Sequence, residues 1–312
     1  MRIELCDEAR EFGAQALRAL KAAGGDELVQ RAEAEPGLRH GLIAPVLERL
    51  GAWELAPYRD PVELEAAAAL CRSAGYWATP YPVAERLARP DDLEVDALVV
   101  VAGPESAAPL AGLELRVAAA GLTGSRGLVR ALPGTGTARE TAFVVPIEVV
   151  PIDAAGDPAL ALTLPGWTLL GMLDRAVELA REHVLLRQQF GKPLAEFQSV
   201  QFQLTDAEVE RRGVEMLARY ALWSIQAGRP EAVADALALR LAALEAAETV
   251  FRVAHQLHGA LGFCDEATLS WLSRHSLPLR RLPLGIAGTE EALAARIGTA
   301  GLAGLFSDPR GV

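Results

Sequence analysis

The stretch RQQFGKPLAEFQ, residues 187–198, decides how the chain is read. It stands between two runs of helical periodicity. Before it, Leu170, Leu173, Val177, Ala180 and Val184 recur at three- and four-residue spacing; after it, Val214, Leu217, Ala221 and Ile225 do the same. A joint between two buried helices has no packing need for an arginine, two amides, an aromatic ring and a Gly-Lys-Pro turn in succession. Arg187 and Gln189 are expected to end the first helix, with Phe190 opening the turn. Arginine can clamp a phosphate through two parallel N–H donors, and phenylalanine can pack against a flat ring. The plainer reading is a cation favoured at a helix C-terminus beside a core phenylalanine.

Working outward, Ala243, Ala247, Val250, Ala254 and Leu257 mark a third long helix. Asp265 is placed to N-cap a fourth, carrying Leu269 and Leu272. Turns at 191–193, 228–230 and 259–262 join these elements, and long amphipathic helices with short joints predict a four-helix bundle over 161–312. Residues 1–90 are also helical in pattern. Leu5, Ala9, Phe12, Ala16 and Leu20 form a loose apolar stripe, 42–50 reads as a short helix, and PVELEAAAALCRSA (61–74) as another started by Pro61. Residues 91–160 change period. ALVVV (97–101) and AFVVPIEVV (142–150) are β-rich, with glycine-rich joints GLTGSRG (121–127) and PGTGT (133–137) between them; GLTGSRG reads as a plain hairpin connection and not as a P-loop. The predicted class is α+β, mostly α: an N-terminal helical domain (1–90), a small, reduced antiparallel β middle domain of four to six short strands (91–160), and a C-terminal helical bundle (161–312).

The chain has 312 residues, 51% hydrophobic and 23% charged, with a formal net charge of -11. That balance argues against nonspecific nucleic-acid binding. No window of about 18 strongly apolar residues predicts a membrane span. The first residues, MRIELCDEAREFG, lack the apolar core of a signal peptide. Cys6, Cys71 and Cys264 lie far apart with no CxxC, as expected of reduced thiols in a cytoplasmic protein.

Two further stretches stand out. AHQLHGALGF (254–263) ends a helix in a glycine joint through which a backbone can approach a ligand closely, with Gln256 as donor and acceptor. His255 and His258 are i, i+3 neighbours, but no third ligand accompanies them, so hydrogen-bonded or surface histidines are expected and no metal. In GIAGTEE (285–291), Gly288 closes a turn and Thr289 is placed to N-cap the last helix, with Glu290 and Glu291 in its first turn.

Taken in order, RQQFGKPLAEFQSVQ, HQLHGALGF and AGTEEALAARIG resemble the C-terminal half of the acyl-CoA dehydrogenases over roughly residues 165–298. LGAWELAPYRDP (50–61) and AGYWATPYPVAERLA (74–88) resemble that family's N-terminal helical domain more weakly. The resemblance implies FAD-dependent α,β-dehydrogenation of an acyl-CoA thioester: a carboxylate removes the α-proton and hydride leaves Cβ for the flavin. It also implies dimers, often paired into tetramers, in which this corner of one subunit reaches the FAD carried by its neighbour. By that match Arg187, Gln189, Phe190, Gln256, Gly259, Ala260 and Thr289 contact FAD, although Ala260 stands where the family usually has a second glycine.

Two departures follow. The family's commonest catalytic glutamate falls at Ala287, and a gap-free count puts its alternative near Ala161; alanine cannot take a proton. No other carboxylate lies between Asp157 and Asp174, and Glu178 and Glu182 read as solvated charges. The family's flavin-holding strand motifs are also absent from 91–160. The pattern resembles the non-catalytic type of subunit in heteromeric acyl-CoA dehydrogenases of actinobacterial steroid and cholesterol side-chain breakdown. The expected partners are a homologous catalytic subunit in a heterotetramer sharing the FAD, an acyl-CoA, and an electron-transfer flavoprotein. Two alternatives stay open: a self-sufficient dehydrogenase with Glu290 or Glu291 as base, and a non-enzymatic helical interaction protein.

Overall fold

A computed structural model describes residues 4–103, 105–132 and 143–298. The PGTGT joint and Ala142 fall outside the described residues. Helices α1 (Asp7–Ala23), α2 (Glu27–Ala34), α3 (Arg39–Arg49), α4 (Pro61–Tyr76) and α5 (Val83–Leu87) come first. The start of α4 is written locally. The Asp60 carboxylate accepts from the backbone N–H groups of Val62 and Glu63 at 2.7 and 3.2 Å, and Pro61 occupies the first turn, where its missing N–H costs nothing.

Five strands follow: β1 (Ala97–Val101), β2 (Glu105–Ala108), β3 (Val117–Gly121), β4 (Ser125–Ala131) and β5 (Val145–Ala155), in sheet order β1-β3-β4-β5-β2. The sheet is mixed where an antiparallel one was expected, because β1 pairs with β3 in parallel. After β1 the chain crosses to the far edge, pairs as β2 against β5, and returns beside its starting point. That excursion supplies the long crossover a parallel pair needs. The GLTGSRG joint is the hairpin expected, with Gly124 at φ +93° closing the turn between β3 and β4.

The chain then returns to helix: α6 (Ala159–Leu186), α7 (Gln198–Gln226), α8 (Ala232–His258), α9 (Thr268–Arg281) and α10 (Ile286–Ile297). The periodic residues of α8 are buried as predicted, and Trp167 of α6 is fully enclosed. Two expected caps are corrected. The N-cap of α9 is Ala267; Asp265 instead pairs with Arg274 at 3.2 Å, ahead of the helix. The N-cap of α10 is Gly285, four residues before the expected Thr289, so Gly288 and Thr289 lie inside the helix.

α4 and α6 cross at very close range. A Cβ added at Gly75 would stand 1.8 Å from the Thr168 carbonyl oxygen, and one at Gly171 1.9 Å from that of Arg72. Each helix thus needs a glycine where the other presents main chain. Gly171→Ala is expected to cost about 3 kcal/mol or prevent folding, since backbone cannot yield as a side chain does. Urea unfolding against wild type measures this; a loss below about 1 kcal/mol would show that the crossing relaxes.

The same crossing carries an ion-pair network. Arg72 of α4 binds Asp174 of α6 at 2.6 Å and Glu215 of α7 at 2.9 Å. Arg211 bridges Asp174 and Glu215 at 2.9 and 3.2 Å, and Arg219 adds a contact to Glu215 at 2.7 Å.

Candidate functional site

α6 stops at Leu186 and Arg187 is its extended C-cap, so Arg187 and Gln189 lie just beyond the helix and not within its last turn. Strands β6 (Gln188–Gln189) and β7 (Lys192–Pro193) pair around Phe190–Gly191, and Leu194 N–H donates to the Arg187 carbonyl at 2.9 Å. Phe190 and Gly191 have φ of +52° and +82°. Two positive φ values define a type I′ turn, whose preferred first residue is asparagine or another small polar group. Phenylalanine there costs of order 1 kcal/mol of backbone strain. It buys no burial in return: Phe190 is 90% exposed, its ring edge-on to Phe197 at 6.2 Å. The core-phenylalanine reading is therefore excluded.

α8 ends at the same end of the bundle. His258 stacks on His183 of α6 at 4.4 Å between ring centroids, four residues before Arg187. Burial lowers the pKa of both, and the nearby His258 and Arg187 lower that of His183 further, so protonation of the pair is disfavoured. His255 stacks on Phe263 at 4.3 Å, and His258 Nδ1 lies 2.8 Å from the Ala254 carbonyl. No group of three metal-ligating side chains occurs among the described residues. Gly259 has φ +61° and ψ -145°, a conformation essentially reserved to glycine, and a Cβ built there meets no atom within 4 Å. Its backbone is bare, flanked by the exposed Gln256 and Ala260.

The His183–His258 stack sets the end of α6 beside the end of α8, and Leu186, Phe202, Leu261 and Phe263, on or next to these segments, are all exposed. Exposed large apolar groups at one end of the bundle, with a strained aromatic at a hairpin tip, are the mark of an interaction face. Thr289 does not join it. The residue is fully buried, and its hydroxyl donates back to the Gly285 carbonyl at 2.8 Å. The stacking partner His183 went unnoticed in the sequence, where a lone histidine near a helix end carries no signal.

The two base positions part company. Ala287 is exposed on α10, with Glu290 and Glu291 exposed beside it. Ala161 is buried on α6, in the wall of a cavity of about 120 Å³ where the N-terminal helices, the sheet and the bundle meet. Glu182 is exposed as expected, but Glu178 is not merely solvated: it accepts from the Tyr76 hydroxyl and from Arg175. Leu98, Ala118 and Ala120 of the sheet join Leu160 and Leu164 of α6 in one buried core. The sheet therefore packs directly on the helices, with this small cavity between them. The junction cavity falls well below the roughly 300–1,000 Å³ of ordinary cofactor clefts. A cavity of that size does not fit a flavin seated between this chain's own sheet and bundle. The cavity lining includes Arg39, Glu85, Arg240 and His275, none of which the sequence reading singled out.

Residues 164–302 match the family model of the acyl-CoA dehydrogenase C-terminal domain. The chain is 31% identical over 104 residues to (R)-benzylsuccinyl-CoA dehydrogenase of Thauera aromatica, a match covering 33% of this chain and 26% of that protein. The chain matches only about a quarter to a third of the length of such curated relatives. Its fold is similar to that of a chain in the ChsE4-ChsE5 complex from Mycobacterium tuberculosis, with TM-score 0.73 and 17% identity over 97% of this chain and 100% of that one. It is also similar to butyryl-CoA dehydrogenase from Megasphaera elsdenii, with TM-score 0.69 and 16% identity over 95% and 100% of the two chains. At those identities the likeness is one of fold. Among the described residues no helix is long and apolar enough to cross a membrane.

Proposed function

From a chain that has the acyl-CoA dehydrogenase fold and carries that family's C-terminal domain at residues 164–302, we propose that it is a subunit of an FAD-dependent acyl-CoA dehydrogenase that completes its partner's flavin site and lacks the base. The carrying observation is Phe190: a strained, 90% exposed aromatic at a hairpin tip, beside Arg187 and the bare Gly259 backbone. Bound FAD would supply the hydride acceptor. Arg187 would meet its phosphates, Phe190 and Gln189 a flat face of the cofactor, and Gln256, Gly259 and Ala260 its polar edge; Thr289, buried and self-satisfied, has no part. The catalytic carboxylate and the flavin-holding sheet would come from a homologous subunit, since Ala161 and Ala287 offer no proton acceptor and this chain's sheet is closed against its helices. The named contents of the ChsE4-ChsE5 structure, a complex of two proteins, support an unequal pair. The assembly would be a cytoplasmic heterotetramer acting on an acyl-CoA and passing electrons to an electron-transfer flavoprotein.

Co-expression with a homologous dehydrogenase subunit tests this. The expected product is a yellow complex reducing an electron acceptor with an acyl-CoA, while the chain alone is colourless. A yellow, active homomer would overturn it. The competing reading, a self-sufficient enzyme using the exposed acids of α10, predicts a large loss on their removal. Glu290→Gln and Glu291→Gln are instead expected to leave turnover of the complex within about twofold, as for ordinary surface charges; a loss of a hundredfold in either would favour the competing reading.

A further inference from the structure

Arg240, in the middle of α8, is 6% exposed and lines the junction cavity. Nη1 donates to the Leu279 carbonyl at 3.2 Å and Nη2 to that of Leu284. Nε is buried with no hydrogen-bond partner. No carboxylate pairs with this guanidinium among the described residues, and burial pulls its pKa down to about 10. Two carbonyls satisfy hydrogens but cancel no charge, and a buried cation without an anion is costly.

The rest of the wall does not supply the anion. Arg39 is satisfied by three carbonyls, those of Pro80, Pro109 and Ala111, and lies over the Phe143 ring at 4.3 Å. Among the described residues Glu85 is the only carboxylate in the lining; burial pushes its pKa up, and the charge acting on it is that of Arg39. His275 is engaged by Glu33 at 2.7 Å. The wall therefore holds two arginines against one glutamate, with the uncompensated cation at Arg240. The remaining surface is apolar, from side chains such as Leu98, Ala161 and Met172.

We propose that this cavity binds an organic carboxylate with a compact apolar body, the carboxylate meeting Arg240 and the carbon skeleton filling the space against α6 and β1. The volume of about 120 Å³ sets the size. An apolar cavity of about 150 Å³ holds benzene, so benzoate, with its carboxylate set against Arg240, is a probe at the upper limit of size for this smaller cavity. Such a carboxylate has two sources, a free acid or the far end of a dicarboxylic acyl chain on coenzyme A. The proposal concerns a different face of the molecule from the flavin corner, and no readout below involves flavin.

Calorimetric titration of the full chain at pH 7 with benzoate and with its neutral isostere benzamide is the test. Benzoate is expected to bind about tenfold or more tightly, the worth of a hydrogen bond to a charged group. Arg240→Gln, its folding verified by circular dichroism, is expected to erase that preference and keep benzamide affinity. Competition then separates the sources. Displacement of benzoate by glutaryl-CoA but not by butyryl-CoA assigns the acyl-chain end; displacement by neither assigns a free acid. Should the variant not fold, crystals of wild type with 4-bromobenzoate decide by the bromine position. Equal affinity for benzoate and benzamide, a preference that survives in folded Arg240→Gln, or bromine outside this cavity overturns the proposal.

Discussion

Phe190→Asn is expected to make the chain more stable and the complex flavin-free. The turn at Phe190–Gly191 is type I′, with φ of +52° and +82°. Asn-Gly is the pair this turn prefers, so the substitution relieves strain worth up to about 1 kcal/mol. Little packing is lost in return, because the ring is 90% exposed. The same change removes the aromatic tip of the proposed contact with the partner's cofactor. Central aromatic anchors of interfaces typically cost 2–4 kcal/mol when lost, about 30- to 1,000-fold in affinity. The measurements are a thermal melt of the chain and the flavin absorbance of the purified complex. A melt unchanged or raised together with lost absorbance is the expected pair; full flavin retention would mean that Phe190 is only an odd turn residue.

The second large effect lies in the α4–α6–α7 network. Glu215 is 5% exposed; burial alone would raise its pKa, but Arg72, Arg219 and Arg211 outweigh this and hold it down to about 2. A carboxylate with a depressed folded pKa stabilises the fold above its ordinary value near 4.5, and the contribution disappears as pH falls toward 2, because the unfolded chain takes up the proton first. Wild type is thus expected to lose of order 3 kcal/mol across that window from this residue. Glu215→Ala leaves three arginines facing one another across a buried crossing and is expected to cost about 3–5 kcal/mol at pH 7. Denaturant unfolding from pH 7 to 2.5 would show both: a steep acid slope in wild type and a flatter one in the variant. Parallel slopes would contradict the assignment.

Much of the architecture is legible in the sequence because it is written in local periodicity. The apolar residues of α6 and α8 recur at helical spacing and are buried, Val177 only partly, and Pro61 announces α4. What was misread depends on contacts between distant residues. The parallel pairing of β1 with β3 is set by where β2 goes, not by either strand's own residues. Asp265 and Thr289 are good capping residues in isolation; one was taken by Arg274, and the other was overtaken by a helix starting at Ile286. The outward corner was half visible: the residue types of 187–190 were too unusual for a core joint, while the strain at Phe190 and the His183–His258 stack exist only once the bundle closes. Glu85 and Arg240 gave no signal, since a charge on a helix reads as solvated until its surroundings are assembled.

Flavin stoichiometry tests the central claim most directly. The complex of this chain with its homologous partner should be separated by size, and its bound FAD quantified against each polypeptide. One FAD per pair of unlike chains, and none on this chain alone, is the ratio expected of a subunit that lends a wall and holds no flavin of its own. One FAD per copy of this chain in the absence of any partner would contradict the account.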